Sequence, residues 1–417
     1  MRLAFVIPWY GPGIPGGAES ECRKTALQLK ARGFDVEILT TCVRDFQSDW
    51  EVNHYAEGAE TVEGLTVRRF RARKRDKASF DAINGRLMRT GMERLRALRT
   101  VSHSASPLSP DEEETYIRES VNSPGLNGHI GANASSCDLF IFIPYMFGTT
   151  YYGSLAAGEK AVLIPCLHDE SYAYMSIYGG MFRRARGVVY HSASEMTLAE
   201  RLYGCKDNGV LLGEGVDTAF ESDGQRFMER HRIRGPFILY AGRKDESKNT
   251  HLLIEYFCRF RGDNPESPLK LVLMGPGPVE IPGKHKKDII DLGFLPAEDK
   301  FDAYGAAMCL CQPSLNESFS LVMMEAWAAG TPALVHAGCD VTRGFCVESG
   351  GGLYFSDYPE FAECLLYLFE NEGARKALGE RGSDFVKGRY SWDSITEKLA
   401  AVLRGWNEGD RGTSAPF

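Results

Sequence analysis

Gln312-Pro313-Ser314-Leu315-Asn316-Glu317-Ser318-Phe319-Ser320-Leu321-Val322-Met323-Met324-Glu325-Ala326-Trp327-Ala328-Ala329-Gly330-Thr331-Pro332 carries the reading of this chain. The apolar run Met308–Gln312 reads as a strand, and a short polar loop bearing Glu317 follows it. Ser318 reads as an N-cap, with a helix to about Ala329, Gly330 as its stop and Pro332 just beyond. A helix that starts outside the carboxyl end of a parallel strand stands where open α/β sheets bind ligands. Glu325 is set among Leu321, Val322, Met324, Ala326 and Ala328, and an enclosed carboxylate is costly without hydrogen bonds. Two ribose hydroxyls would satisfy it without adding charge; so would a nearby backbone group or an arginine.

Outward from this stretch, strands recur at Phe237–Ala241, Leu269–Met274 and Pro332–His336. A separate series runs through Leu3–Ile7, Val36–Thr40, Leu139–Ile143, Ala161–Ile164 and Gly187–His191, with Ala18–Arg32 at helical spacing. Strands alternating with helices argue for parallel sheets covered on both faces. The fold class expected is α/β, with two Rossmann-like doubly wound domains, 1–212 and 213–390. Residues 44–136 break the alternation and read as an elaboration whose tip is mobile. Tyr390–Trp406 reads as a last helix and 407–417 as a loose tail.

A chain of 417 residues suits two domains of ordinary size. No apolar run reaches a membrane span, and the first strand is too short for a signal-peptide core. The formal charge of −8 argues against nucleic-acid binding. Eleven cysteines without paired spacing read as reduced thiols of a cytoplasmic protein, and none has metal-ligand spacing. Twelve Lys or Arg fall between Arg68 and Arg99. They read either as a solvated helix face or as a peripheral contact with anionic membrane.

Three further places carry chemistry. Gly11-Pro12-Gly13-Ile14-Pro15-Gly16-Gly17 contains a Gly-x-Gly-x-x-Gly, yet Pro12 and Pro15 remove N–H donors that a pyrophosphate needs. The second strand also ends without a carboxylate for a ribose, which argues against a nicotinamide oxidoreductase. Gly16 and Gly17 instead read as a phosphate approach at a helix N-terminus. Arg243 and Lys248 lie on the connection after Ala241. An isolated surface pair is simply solvated, but at a strand end it becomes a phosphate clamp candidate. His168, followed by Asp169 and Glu170, emerges after a buried strand.

These residues together resemble the retaining glycosyltransferases of family 4, which have the GT-B fold of two Rossmann-like domains facing a central cleft. The resemblance is carried by Gly-Gly-Ala-Glu at 16–19, His-Asp at 168–169, Gly-Arg with the later Lys at 242–248, and Glu317 with Glu325. Gly215-Val216-Asp217 and the final helix led by Tyr390-Ser391-Trp392 also fit, the helix crossing back to the N-terminal domain at 391–406. The usual Lys-Gly is Lys248-Asn249 here.

The resemblance implies that Arg243, Lys248, Gly16 and Gly17 hold the donor diphosphate. It implies Glu325 on the ribose, Glu317 on donor-sugar hydroxyls, and backbone N–H groups of Ser318, Phe319, Ser320 and Leu321 on phosphate or sugar. It implies the base near Gly275 and Phe294, and His168 supporting the transition state. The implied enzyme moves a sugar from a nucleotide diphosphate sugar to a glycan, lipid-linked or small-molecule acceptor, in surface polysaccharide or glycoconjugate synthesis. It does so with retention, without a cofactor and without a metal. The chain also lacks Asp-x-Asp, the usual handle for a metal-bound nucleotide sugar. A non-catalytic nucleotide-sugar-binding partner, an oxidoreductase and an epimerase remain as alternatives.

Overall fold

The computed structural model describes residues 1–14, 16–101, 105–205 and 207–409. The chain divides into two compact units, one of Met1–Gly213 with Ile395 onward, the other of Glu214–Ser394.

The first unit holds β1 (Arg2–Val6), β2 (Asp35–Thr41), β3 (Gly58–Val62), β4 (Leu65–Phe70), β5 (Leu139–Phe142), β6 (Ala161–Leu163), β7 (Gly187–Tyr190) and β8 (Gly209–Leu211). They form one sheet in the order β3-β4-β2-β1-β5-β6-β7-β8. All neighbours are parallel except the β3–β4 hairpin, whose turn uses Glu63 and Gly64 at φ 49° and 80°. The chain order reverses between β1 and β5, which makes their carboxyl ends the switch point of this sheet. The core over one face gathers Phe140, Phe142, Tyr145, Tyr178, Phe182 and Tyr203.

The elaboration belongs to this unit. It supplies β3, β4 and the helices Lys77–Arg89, Met92–Val101, Pro110–Glu119 and Pro124–Asn133. Ser109 and Glu112 close a capping box ahead of Pro110–Glu119. Of the polar stretch around Ser102–Glu114, where the tip is expected, 102–104 lie outside the described residues and the far end enters the helix Pro110–Glu119. The basic run is not one solvated face. Arg69 is buried beside Glu60, Arg73 faces Glu119, Arg86 faces Glu112, and Arg96 reaches Asp169. Arg75 lies over Trp50 and Phe80. Among the described side chains, Lys74, Arg89 and Arg94 are exposed and make no ion pair.

The second unit holds β9 (Phe237–Ala241), β10 (Lys270–Met274), β11 (Ile289–Asp291), β12 (Cys309–Gln312), β13 (Ala333–His336) and β14 (Gly352–Phe355). They form a wholly parallel sheet in the order β11-β10-β9-β12-β13-β14, reversing between β9 and β12. The apolar strands are buried on both faces. Leu239 joins a core with Val272, Leu310 and Trp327, while Ile238 and Tyr240 join the opposite core with Leu271, Phe257 and Phe361. That alternation is the period of two that a doubly covered strand requires.

Two boundaries differ from the sequence reading. The helix after β12 is Leu321–Ala328, so Ser318 is not its cap; Ser320 holds that position without a side-chain cap bond. The last helix is Trp392–Glu408 rather than Tyr390–Trp406. Tyr390 and Ser391 are engaged instead with Val216, whose N–H donates to the Tyr390 carbonyl at 2.7 Å. Of the expected loose tail, Asn407 and Glu408 continue the helix, and 410–417 lie outside the described residues. Among the described residues no helix is long and apolar enough to cross a membrane.

Candidate functional site

The switch point of the second sheet brings together the loops that follow β9 and β12. After β9, Asp245 accepts the Lys248 N–H at 3.2 Å and closes a short turn, Glu246–Lys248. Asn249 follows at φ 56°. This turn aims Lys248 across to the other loop, where its Nζ donates to Glu317 Oε1 at 2.7 Å. Gln312, the last residue of β12, donates to the same oxygen at 2.9 Å. Lys248 and Glu317 therefore meet, but as a pair in which the glutamate already takes up the ammonium. Arg243 stays more open, with Nε 3.7 Å from Asp245 Oδ2. Burial raises the Asp245 pKa, but the Ser247 hydroxyl, Arg243 and Lys248 outweigh that and hold it below its ordinary range.

Ser320 is the strained point of the β12 loop. Its backbone is left-handed at φ 70°, and its buried hydroxyl has no hydrogen-bond partner. Strain and an orphan hydroxyl at a helix start are features that functional loops retain. The N–H groups of Leu321 and Val322 lie in the first turn, where no intrahelical acceptor exists. The Phe319 side chain packs edge-on against Phe345 and Tyr390.

Glu325 is buried, but its hydrogen bonds are met within the chain. Lys300 Nζ donates to Oε1 at 2.6 Å and the Tyr304 hydroxyl to Oε2 at 3.0 Å. Burial, then the Glu325 carboxylate, push the Tyr304 hydroxyl well above its ordinary range, so it stays a donor. Of the alternatives left open by the sequence, groups of the chain itself already satisfy Glu325, through a lysine and a tyrosine instead of a backbone group or an arginine. Each oxygen keeps capacity for a further donor, but the protein has already neutralised the charge. Neither Lys300 nor Tyr304 carried a sequence signal, since both come from the helix Ala297–Ala306 packed alongside.

The loops after β9, β10 and β11 are knitted by backbone. Gly242 N–H donates to the Met274 carbonyl at 3.0 Å, Gly275 N–H to Gly293 at 2.7 Å, and Lys244 N–H to Pro276 at 2.8 Å. A Cβ on Gly275, at φ 126°, would stand 1.9 Å from the Gly242 carbonyl oxygen. Lys244 is buried and bonded to Asp291. Phe294 is 75% exposed at the rim of these loops, an available ring face rather than a core residue.

In the first unit, Gly16 and Gly17 stand exposed at the start of the helix Gly17–Ala31. A Cβ on Gly16, at φ 153°, would strike the Glu19 carboxylate, which also accepts from Trp9 Nε1. His168 follows β6, half-buried, with Nδ1 3.8 Å from Glu170 Oε1. Asp169 is taken up by Arg96 at 2.8 Å, Arg201 at 3.3 Å and the Tyr174 hydroxyl at 2.6 Å. It is an anchor for its loop and not a vacant acid. A separate hollow of about 400 Å³ opens by Pro236, Met308, Thr331 and Arg375. It lies at the amino ends of β9, β12 and β13, the wrong end of a parallel sheet for a ligand site.

Both sheets reverse order beside loops that carry the candidate residues, and known structures share this architecture. Anabaena HepE in complex with UDP-glucose superposes with a TM-score of 0.66 at 15% identity, over 97% of this chain and 100% of that one. The fold is GT-B. Within it, residues 222–385 match the family model described as Glycosyl transferases group 1. That segment holds Arg243, Lys248, Glu317, Ser320 and Glu325. D-inositol 3-phosphate glycosyltransferase of Corynebacterium kroppenstedtii is 30% identical over 219 residues, 46% of this chain and 47% of that protein. The enzyme of the same name from Kineococcus radiotolerans is 25% identical over 94% of this chain and 91% of its own. The chain spans about half the length of several curated relatives it matches. The expectation of a GT-B glycosyltransferase-type chain agrees with these matches.

Proposed function

We propose that this chain is a glycosyltransferase that takes a sugar from a nucleotide diphosphate donor. The observation that carries the reading is the Lys248–Glu317–Gln312 cluster joining the two loops at the switch point of the second sheet, beside a strained Ser320. Arg243 and Lys248 would hold the diphosphate, together with first-turn N–H groups of Leu321–Ala328 and of Gly17–Ala31. Glu317 would receive a donor-sugar hydroxyl, Glu325 the ribose, and the loops at Gly275 and Phe294 the base. His168 would support the transition state.

Breaking the sugar–phosphate bond leaves charge on the diphosphate, and fixed cations and N–H groups stabilise that charge most in the transition state. We infer a reaction without a divalent metal and with retention of configuration, following the family 4 resemblance. Relatives named for inositol 3-phosphate, and a structural neighbour holding UDP-glucose, favour a uridine donor and a phosphorylated small acceptor over a glycan or lipid-linked one. Surface polysaccharide or glycoconjugate synthesis remains the process proposed. None of the eleven cysteines forms a disulfide, which suits a reducing, cytoplasmic setting. Contact with anionic membrane would fall to Lys74, Arg89 and Arg94.

Calorimetric titration with the diphosphates of uridine, guanosine and thymidine tests the donor. Product analysis with labelled nucleotide sugars and inositol 3-phosphate, glycan and lipid-linked acceptors tests the transfer. One diphosphate should bind, Lys248→Ala should lose that binding, and turnover should neither need nor gain from magnesium or manganese. A folded chain that binds no nucleotide diphosphate refutes the reading.

A further inference from the structure

Three donors of different kinds converge inside the first unit, apart from the residues assigned to the donor. Glu21 comes from the helix Gly17–Ala31, Cys166 from the loop after β6, and His191 from the residue after β7. One carboxylate oxygen, the thiol sulfur and an imidazole nitrogen all lie within 4.8 Å of one another. The side chains of His191 and Glu21 are 1% and 5% exposed. We propose that this cluster is a binding site for a zinc-class divalent cation.

The separations suit such an ion. Tetrahedral zinc, with bonds of about 2.0 Å to nitrogen and oxygen and about 2.3 Å to sulfur, sets its ligand atoms roughly 3.3 to 3.5 Å apart. Cys166 Sγ stands 3.5 Å from Glu21 Oε2 and His191 meets the other oxygen, so the carboxylate would turn to bring one oxygen to a shared ion. His191 Nε2 and Glu21 Oε1 are 2.6 Å apart and would open by about 0.7 Å, within a rotamer adjustment of the glutamate. Thiolate, imidazole and carboxylate together select zinc over calcium or magnesium, which take oxygen alone. A water completes the fourth position.

A second feature points the same way. Glu195 Oε2 lies 3.8 Å from His191 Nδ1, the ring nitrogen that faces away from Glu21. At that separation there is no hydrogen bond to the ring, but the carboxyl group stands on the side of the histidine opposite Glu21. Glu195 also accepts the Leu167 N–H and the His191 N–H, each at 2.6 Å. It therefore holds the backbone beside Cys166 and the backbone of His191 itself, clamping two ligand-bearing segments from one fully buried side chain. Cys166 is set at φ 51°, a conformation that a non-glycine residue adopts only when its surroundings impose it. On binding a dication the thiol would give up its proton to solvent, and the neutral imidazole would ligate through Nε2 with its one ring proton on Nδ1.

The test needs no donor or acceptor, so its outcome is independent of the transferase reading. The full chain, dialysed against metal-free buffer, is titrated with zinc alone, and retained metal is counted by mass spectrometry. Wild type and a Cys258→Ser control should keep one zinc per chain and unfold at higher temperature with zinc. Cys166→Ser and Glu21→Gln should bind at least about tenfold more weakly. Cobalt substitution of the wild type should give a near-ultraviolet thiolate-to-metal band, which decides the matter even when a variant fails to fold. A folded wild type that retains no zinc and gives no thiolate band with cobalt overturns the proposal. So does a folded Cys166→Ser that binds zinc as wild type does.

Discussion

Lys248 is bonded to Glu317, yet the proposed complex asks it to hold a phosphate, and Glu317→Gln measures that competition. The present Nζ–Oε1 distance is 2.7 Å. An ammonium spreads its donors at near-tetrahedral angles, so a phosphate oxygen on a second donor would stand about 4.5 Å from the glutamate oxygen. Two unit negative charges at that separation repel by about 4 kcal/mol at an effective dielectric near 20. The glutamate charge is spread over two oxygens and already met by Lys248 and Gln312, and the diphosphate faces solvent. Those effects leave roughly a quarter, about 1 kcal/mol, which is about fivefold in affinity. The amide keeps the shape and an acceptor for Lys248 while removing the charge. Glu317→Gln should therefore bind the nucleotide diphosphate about fivefold more tightly, with the gain shrinking as salt rises. Its turnover should fall by about tenfold or more, because the contact that places the transferred sugar is weakened. Calorimetric titration at two salt concentrations, paired with turnover, separates the two effects. Unchanged or weaker diphosphate binding by the folded variant would show that Lys248 does not serve both groups.

Three other outcomes follow from the geometry. If Glu325 takes a ribose as well as Lys300 and Tyr304, wild type should prefer a ribonucleoside diphosphate to its 2′,3′-dideoxy analogue, and Glu325→Gln should narrow that preference by about 1 to 2 kcal/mol; an unchanged preference removes the ribose role. Gly275→Ala should destabilise the second unit by about 3 kcal/mol or more, since it meets both a positive φ and the Gly242 carbonyl; a denaturation midpoint within error of wild type would contradict this. Burial pushes Glu195 up to about 7, so its folded carboxyl holds a proton that the unfolded one, near 4.3, has lost. That contribution is full below about pH 4 and declines as pH rises through about 7. Amide exchange in Ala193–Tyr203 of the zinc-free chain should report the decline after correction for intrinsic rates, and Glu195→Gln should flatten it. A wild-type profile that is flat or rises over that range rejects the assignment.

The strands were legible because parallel sheets leave a plain trace: Phe237–Ala241 is apolar at every position since neighbouring residues feed cores on opposite faces. The meeting of the loops after β9 and β12 was legible for a related reason. Polar residues that interrupt such runs at their carboxyl ends, such as Gln312, Glu317, Arg243 and Lys248, have few uses there except at a switch point. Pairing was not legible. Lys300 satisfies Glu325 only because two helices pack side by side, and nothing in the spacing of either helix announces the other. The cap was misplaced for a local reason: Ser318 has the right chemistry, but the chain spends Ser320 in a left-handed turn before the helix can begin. The basic run misled because a count of charges carries no information about acids such as Glu60, Glu119 and Asp169, which arrive from other segments. The same blindness explains the zinc proposal. Glu21, Cys166 and His191 lack ligand spacing along the chain and become neighbours only when β6 and β7 pair beneath the first helix, so a metal site of this kind is visible to packing and invisible to motif.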